Sequence, residues 1–320
     1  MEKRKLIGLK KEWVGRIYSK SQLPKADMVI ASRMETGDYQ KLHDFLVETK
    51  NTEYTYARFD WMMTNWDYLE DQYLERIGIW EEEGKMVGAV LFDHSLDVLF
   101  LIVLPGYEYL YQEMYHYAKE HMVKEDNPEF LIYAKDINTE LQKILKKNGM
   151  IATEEKDMVA VFDLSEEIPE VNLKKGFRLT TLEEHRDYEQ YMKCLFKGFD
   201  HEENGEVFSF TKESLEEYKK AYERNNVDLS LKISAVDEDG NYVAHAGMWY
   251  DKNSEIALVE PVCTIPEFRK MGLGKEVIYE GLRRVKTMGA KVAVVGSGQQ
   301  FYYSLGFVPY STGTIWRLAK

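Results

Sequence analysis

The chain has 320 residues, 44% of them hydrophobic and 13% aromatic, and a formal charge of −13. That length suits two domains of about 150 residues each. The apolar content excludes disorder over most of the chain. The acidity excludes nucleic acid as the main partner, because phosphates want a basic face; it serves solubility or suits a cationic or amine-bearing substrate.

The first 25 residues form a basic arm with eight Lys/Arg against Glu2 and Glu12, a surplus of six that leaves −19 on the remainder. Such an arm (residues 1–26) either lies on the acidic body or binds an anionic partner. Its apolar stretch, Leu6 to Leu9, is far too short for the core of a signal peptide. No run of about 18 apolar residues follows, so no membrane span is expected. Cys194 and Cys263 make neither a CxxC nor a disulfide framework. A soluble, cytoplasmic protein is expected, monomeric or homodimeric.

A first domain is expected over residues 27–165. It opens with a strand at 28–31 and a helix at 39–47. A hairpin follows, in which 77–80 and 87–91 flank the turn Glu82-Glu83-Gly84-Lys85. A helix at 141–149 closes on Asn148-Gly149, and a strand at 158–164 ends the domain. The polar stretch from Asp163 to Asn172, with Pro169, divides the chain, and residues 166–175 read as a linker. The second domain, 176–320, repeats the order. A strand at 177–179 and a helix at 188–196 lead to a hairpin of 231–236 and 243–249 around Asp239-Gly240. A helix at 299–305 closes on Gly306 before a strand at 314–318. The repeated order reads as a duplicated α/β unit.

The segment richest in chemistry runs from residue 256 to 307. Two apolar runs, 256–259 and 262–264, are separated by Glu260-Pro261, and Pro261 cannot donate to a ladder, so a strand here must bulge or splay. Then Arg269-Lys270-Met271-Gly272-Leu273-Gly274 leads into a helix over 275–288, on which Ile278, Leu282 and Val285 recur at helical spacing. Gly289 ends it before a strand at 292–295. Gly272 and Gly274 let backbone approach a ligand, and a helix start favours phosphate. Arg269, Lys270 and Lys275 add charge nearby. The stretch is not a Walker loop, which needs Gly at Arg269 and Ser or Thr at Glu276. Nor is it a GxGxxG fingerprint, for want of a third glycine.

In order and spacing, residues 256 to 307 resemble the GNAT superfamily of N-acetyltransferases, whose Arg/Gln-x-x-Gly-x-Gly/Ala loop follows a splayed strand. The later motif is Tyr303-Ser304-Leu305-Gly306-Phe307. The resemblance implies two tandem GNAT-like domains of α/β class, each a mixed, partly parallel twisted sheet flanked by helices. It implies acetyl-CoA as cosubstrate, with its pyrophosphate on residues 269–275 (Arg269, Lys270, Met271, Gly272, Leu273, Gly274 and Lys275). The strand end Val262, Cys263 and Thr264 would line the coenzyme, with a backbone N–H near Val262 holding the thioester oxygen. Tyr303 would be the general acid for the leaving thiolate and Glu260 the base that deprotonates the amine. Cys263 itself reads as packed rather than nucleophilic. Many relatives carry Asn seven residues before the Tyr; here the residue is Gly296. The acidic stretch 200–205 falls where relatives place an acceptor-lining loop. No His/Cys/Asp spacing suggests a metal.

The matching stretch of the first domain, Pro105-Gly106-Tyr107-Glu108-Tyr109-Leu110, has one glycine, no arginine, and a carboxylate where phosphate wants positive charge. Lys146-Lys147-Asn148-Gly149-Met150 lacks the tyrosine. The first copy is therefore expected to be degenerate, as in tandem GNAT proteins such as mycothiol synthase. Three functions remain open: acetylation of a small amine, acetylation of a protein amine, and non-catalytic acyl-CoA binding.

Overall fold

A computed structural model of the chain describes residues 29–33, 36–64, 71–93, 97–124 and 129–319. The basic arm 1–26 lies outside the described residues. The elements begin with β1 (Val29–Arg33), α1 (Tyr39–Thr49), α2 (Tyr56–Met62), α3 (Asp71–Leu74), β2 (Gly78–Glu82), β3 (Lys85–Asp93), β4 (Val98–Val103), α4 (Tyr111–His121), β5 (Leu131–Lys135), α5 (Thr139–Lys147) and β6 (Met150–Asp163). They continue with β7 (Arg178–Thr181), α6 (Tyr188–Gly198), α7 (Lys212–Tyr222), β8 (Lys232–Val236), β9 (Tyr242–Trp249), β10 (Ile256–Thr264), α8 (Leu273–Met288), β11 (Val292–Val295), α9 (Gln300–Ser304) and β12 (Val308–Leu318).

These elements form two units that are not consecutive in sequence. The first falls within Met1–Tyr54, Asp67–Met158 and Ser311–Lys320; the second within Thr55–Trp66 and Val159–Tyr310. Residues 55–66 thus group with the second unit and 311–320 with the first. In the first unit the last strand, β12, runs antiparallel to β5, with Thr314↔Ala134, Ile315↔Tyr133 and Trp316↔Ile132 in register. That pairing buries Ile315 and Trp316. In the second unit α2 packs on β9 and β10 and buries Ala57, Phe59 and Met62.

Within the first unit the strand order is β1-β2-β3-β4-β5-β12, followed by the N-terminal part of β6. From β1 to β12 in that order the neighbours run antiparallel except β4 with β5. Within the second unit the C-terminal part of β6 is followed by β11-β10-β9-β8-β7, antiparallel except for β10 with β11. Each unit is therefore a mixed sheet in which one parallel pair is bridged by a crossover helix, α4 in the first and α8 in the second.

Helix α8 illustrates why these residues form these elements. Leu273, Val277, Ile278, Leu282 and Val285 line one face and are buried against β8, β9 and β10. Gly289, at φ 110°, supplies the left-handed cap that stops the helix. Burying five such side chains contributes on the order of 10 kcal/mol before chain entropy.

Strand β6 is longer than expected. It starts at Met150, and most of its first half is exposed, so Ile151 to Asp157 carry no buried period for a sequence reading to find.

Candidate active site

In the second unit β10 is held on two sides, unequally. Toward β11 only Ile256↔Val292, Ala257↔Ala293 and Leu258↔Val294 are in register, so the two strands part after Leu258. Toward β9 the ladder continues, with a shift between Val259 and Val262. Glu260 and Pro261, joined by a cis peptide bond, occupy that bulge. Two features of β9 fix it. The indole N–H of Trp249 donates to the Glu260 carbonyl at 2.7 Å, and Gly247 lies beneath, where a Cβ would come within 2.3 Å of the same oxygen. Beyond the bulge, Val262, Cys263 and Thr264 present to the β11 side an edge that β11 leaves unpaired.

The loop after β10 turns twice into the left-handed region, at Lys270 (φ 61°) and Gly272 (φ 88°), before α8 begins. No side chain caps this helix. Among the described residues nothing accepts from the N–H groups of Lys270, Met271, Gly272, Leu273 or Gly274. Five successive open donors in such a turn form an anion-binding concavity. Gly274 seats the helix start on the strand end, since a Cβ there would lie 2.9 Å from the Thr264 hydroxyl.

Of the three cations expected here, two are otherwise engaged. Arg269 turns away from the loop: its Nε donates to the Thr264 carbonyl at 3.0 Å, and a terminal nitrogen donates to the Gly198 carbonyl at 3.0 Å and to the Asp200 carboxylate. Lys275 pairs at 3.1 Å with the buried Glu276, whose carboxylate also accepts from the Asn172 N–H at 2.8 Å. Lys270 is exposed, and among the described residues it has no ion-pair partner. Arg269 thereby braces the cradle to the end of α6 and to the first residue of the acidic stretch 200–205. The rest of that stretch is tied locally, by Lys197 to Glu202 at 3.0 Å and by His201 to Glu206 at 2.8 Å.

The tyrosines of α9 diverge, because successive residues on a helix point about 100° apart. Tyr303 is half-buried, and its hydroxyl has no hydrogen-bond partner among the described residues. Tyr302 is buried, and burial, with the nearby charges of Glu260 and Cys263, holds its hydroxyl well above the usual phenol range. Glu260 thus acts electrostatically on Tyr302, which stands one residue before the quoted motif. Cys263 is packed, with its sulfur 3.8 Å from that of Cys194.

Two further groups are brought to the site from far along the chain. Arg58, on α2, lies where a side chain at Gly296 would begin, 3.6 Å from the Cβ position. Lys232 is wholly buried at the start of β8; its ammonium donates to the Met248 carbonyl at 2.6 Å and lies 3.2 Å from the Trp249 ring centre. Burial pushes it down to about 7, while Asp60 and Asp228 pull upward. Asp60 in turn is pushed up to about 6 by burial against the pull of Arg224 and Lys232. It accepts from Asn226 and Arg224. No sequence pattern marks Arg58 or Asp60, since both stand more than 150 residues from the groups they meet.

Among the described residues no group of side chains could hold a metal ion, and no helix is long and apolar enough to cross a membrane. Residues 188–307 match the sequence profile of the family described as Acetyltransferase (GNAT) family. No curated protein sequence matches the chain. Among solved structures, a GCN5-related N-acetyltransferase from Sphaerobacter thermophilus is similar at 14% identity and a TM-score of 0.56, over 91% of this chain and 95% of that one. A tandem GNAT protein from the clavulanic acid biosynthesis pathway is similar at 13% identity and a TM-score of 0.57, over 90% and 98%. A GNAT-family acetyltransferase from Colwellia psychrerythraea is similar at 10% identity and a TM-score of 0.55, over 91% and 99%. At these identities the likeness is one of fold, and it extends over both units.

Proposed function

The chain carries an acetyltransferase (GNAT) family domain over residues 188–307, and from that premise we propose that its second unit moves an acetyl group from acetyl-CoA to a primary amine of a small molecule. The observation that carries this reading is the run of five unaccepted N–H groups, Lys270 to Gly274, directly after the open edge of β10. Pyrophosphate on those donors, with Lys270 beside it, would direct the coenzyme arm along Val262 to Thr264. Arg58 stands where many relatives use an asparagine, and its planar fork of donors suits amide and phosphate oxygens.

The reaction then needs a base, an oxyanion site and an acid. Glu260 takes the amine proton, directly or through water. The amine attacks the thioester carbon, and a backbone N–H on the free edge near Val262 receives the oxyanion. The C–N bond forms, the C–S bond breaks, and a phenol hydrogen-bonds and protonates the departing sulfur. We assign that phenol to Tyr302, a buried tyrosine whose hydroxyl feels the charges of Glu260 and Cys263; Tyr303, with its unpartnered hydroxyl, is the alternative. The thiol is a good leaving group, with an ordinary pKa of about 8.5, so the acid accelerates turnover without being indispensable.

The first unit is proposed to hold no coenzyme. Its corresponding loop is filled from within, because the Gly106 N–H donates to both carboxylate oxygens of Glu108, at 3.2 and 3.0 Å. A carboxylate thus occupies the place an anion would need.

Titration with coenzyme A, followed by thiol release from acetyl-CoA against an amine panel, tests the reading. One site per chain and amine-dependent release are expected. Binding without release from any amine would favour the non-catalytic acyl-CoA-binding module, and release with protein amines alone would favour a protein substrate.

A further inference from the structure

The first unit contains a cavity of about 90 Å³, set where β4 and β5 part. Those strands pair only at Leu99↔Ile132 and Phe100↔Tyr133 before diverging. Leu101, Ile102 and Leu141 form the apolar part of its wall, and Glu53, Lys135 and Asn138 bring polar groups to it. The Glu53 side chain is 3% exposed. All three donors that reach it bind one oxygen: the Thr52 hydroxyl at 3.0 Å, Lys135 Nζ at 2.8 Å and the Ser311 hydroxyl all meet Oε1. Among the described residues no donor reaches Oε2. That oxygen is therefore the part of Glu53 left for a ligand in the cavity to meet.

The chemistry of the wall narrows the ligand. Among the described residues that line it, Glu53 and Lys135 are the only charged ones, and their charges cancel. A ligand with net charge would enter with its charge uncompensated, which a site walled by Phe100, Leu101 and Ile102 penalises. A zwitterion matches both signs. Its ammonium meets Glu53 Oε2, and its carboxylate meets Lys135 and the amide of Asn138, which also donates to the Tyr111 hydroxyl at 2.9 Å. The volume sets the size at roughly four to six non-hydrogen atoms, since an apolar cavity of about 150 Å³ takes up benzene. We propose that this cavity is a binding site for a small zwitterionic amino acid, of glycine or alanine size, held between Glu53 and Lys135 in a unit that carries no coenzyme cradle.

The test is ligand-observed NMR and calorimetry on the full chain with glycine, L-alanine, ethylamine and propionate as probes. Glycine or alanine should bind saturably, about tenfold or more tighter than ethylamine or propionate, because only the amino acids use both charges. Glu53→Gln should weaken binding about tenfold or more, the loss expected for one charge-assisted bond. Leu101→Phe, which fills the cavity and spares the charges, should do the same, with folding checked by circular dichroism. Coenzyme A affinity, a property of the second unit, should be unchanged in both variants, so a failure of this site and a failure of the acetyltransferase reading are separable. Absence of amino-acid binding at about 100 mM, far above the millimolar range expected for so small a ligand, would overturn the proposal. So would equal binding of ethylamine or propionate, or undiminished binding in folded Glu53→Gln or Leu101→Phe.

Discussion

The bulge at Glu260-Pro261 can be displaced by one methyl group. In Gly247→Ala the new Cβ would stand 2.3 Å from the Glu260 carbonyl oxygen, 3.0 Å from Pro261 Cδ and 3.1 Å from the Glu260 carbonyl carbon. All three belong to the backbone or to a proline ring, so no rotamer change relieves the contact. Ordinary heavy-atom contacts lie near 3.5 Å, so β9 and β10 must separate locally by about 1 Å. Overpacking of this kind costs about 1–3 kcal/mol. Loss of the 2.7 Å bond from Trp249 to the Glu260 carbonyl adds about 0.5–1.5 kcal/mol. A total of about 2–4 kcal/mol lowers the melting temperature by roughly 5–15 °C for a unit of this size. The functional effect is sharper, because a 1 Å misplacement at a reacting centre costs about a hundredfold in rate. Turnover should therefore fall about a hundredfold while coenzyme A affinity stays within about threefold, since the cradle donors lie beyond the bulge. Gly296→Ala is the control, because its Cβ meets nothing closer than Arg58 at 3.6 Å. Differential scanning fluorimetry, calorimetry and thiol-release kinetics read the three quantities. Wild-type turnover in folded Gly247→Ala would refute the claim that the Glu260 bulge positions the chemistry.

Three further outcomes are expected. Arg269→Gln releases Thr264, Gly198 and Asp200 together and should weaken coenzyme A binding about three- to tenfold, the worth of a half-exposed brace; Asp200→Asn should weaken it less, and a larger effect from Asp200 than from Arg269 would contradict the bracing role. Tyr302→Phe should slow turnover about a hundredfold, the lower end for a general acid, against less than about threefold for Tyr303→Phe; the reverse order would return the acid to Tyr303. Stability should respond to pH through Lys232 and Asp60, shifted by burial to about 7 and about 6 from 10.5 and 3.8. Between about pH 7 and 10 the unfolded chain holds the Lys232 proton that the folded chain has released, so stability rises with pH there, whereas between about pH 4 and 6 the folded chain holds the Asp60 proton and stability falls as pH rises. Lys232→Met should flatten the upper rise in thermal melts, and an unchanged rise would show that another group causes it.

Local physics was legible in the sequence and distant encounters were not. The tight turn into α8 could be read because Gly272 and the start of the helix are neighbours in the chain, and the hairpin of β8 and β9 because Asp239-Gly240 encodes its own turn. The bulge followed from the missing donor of Pro261. The exchange of 55–66 and 311–320 between the units was not legible, because strand pairing and packing over more than 150 residues leave no local period. The same holds for Arg58 beside Gly296. The formal charge of Arg269 is visible in the sequence, but its bonds to the carbonyls of Thr264 and Gly198 depend on where α6 ends. Adjacent tyrosines in α9 could be separated only once the helix had a face.

If Lys270 to Gly274 form an anion cradle for coenzyme A, their backbone amides report on it directly. In a nitrogen-15 correlation spectrum titrated with coenzyme A, the amide resonances of these five residues should shift and saturate at one equivalent per chain, with no comparable change at Gly106. Saturable coenzyme binding that leaves all five amides unmoved would show that the coenzyme sits elsewhere.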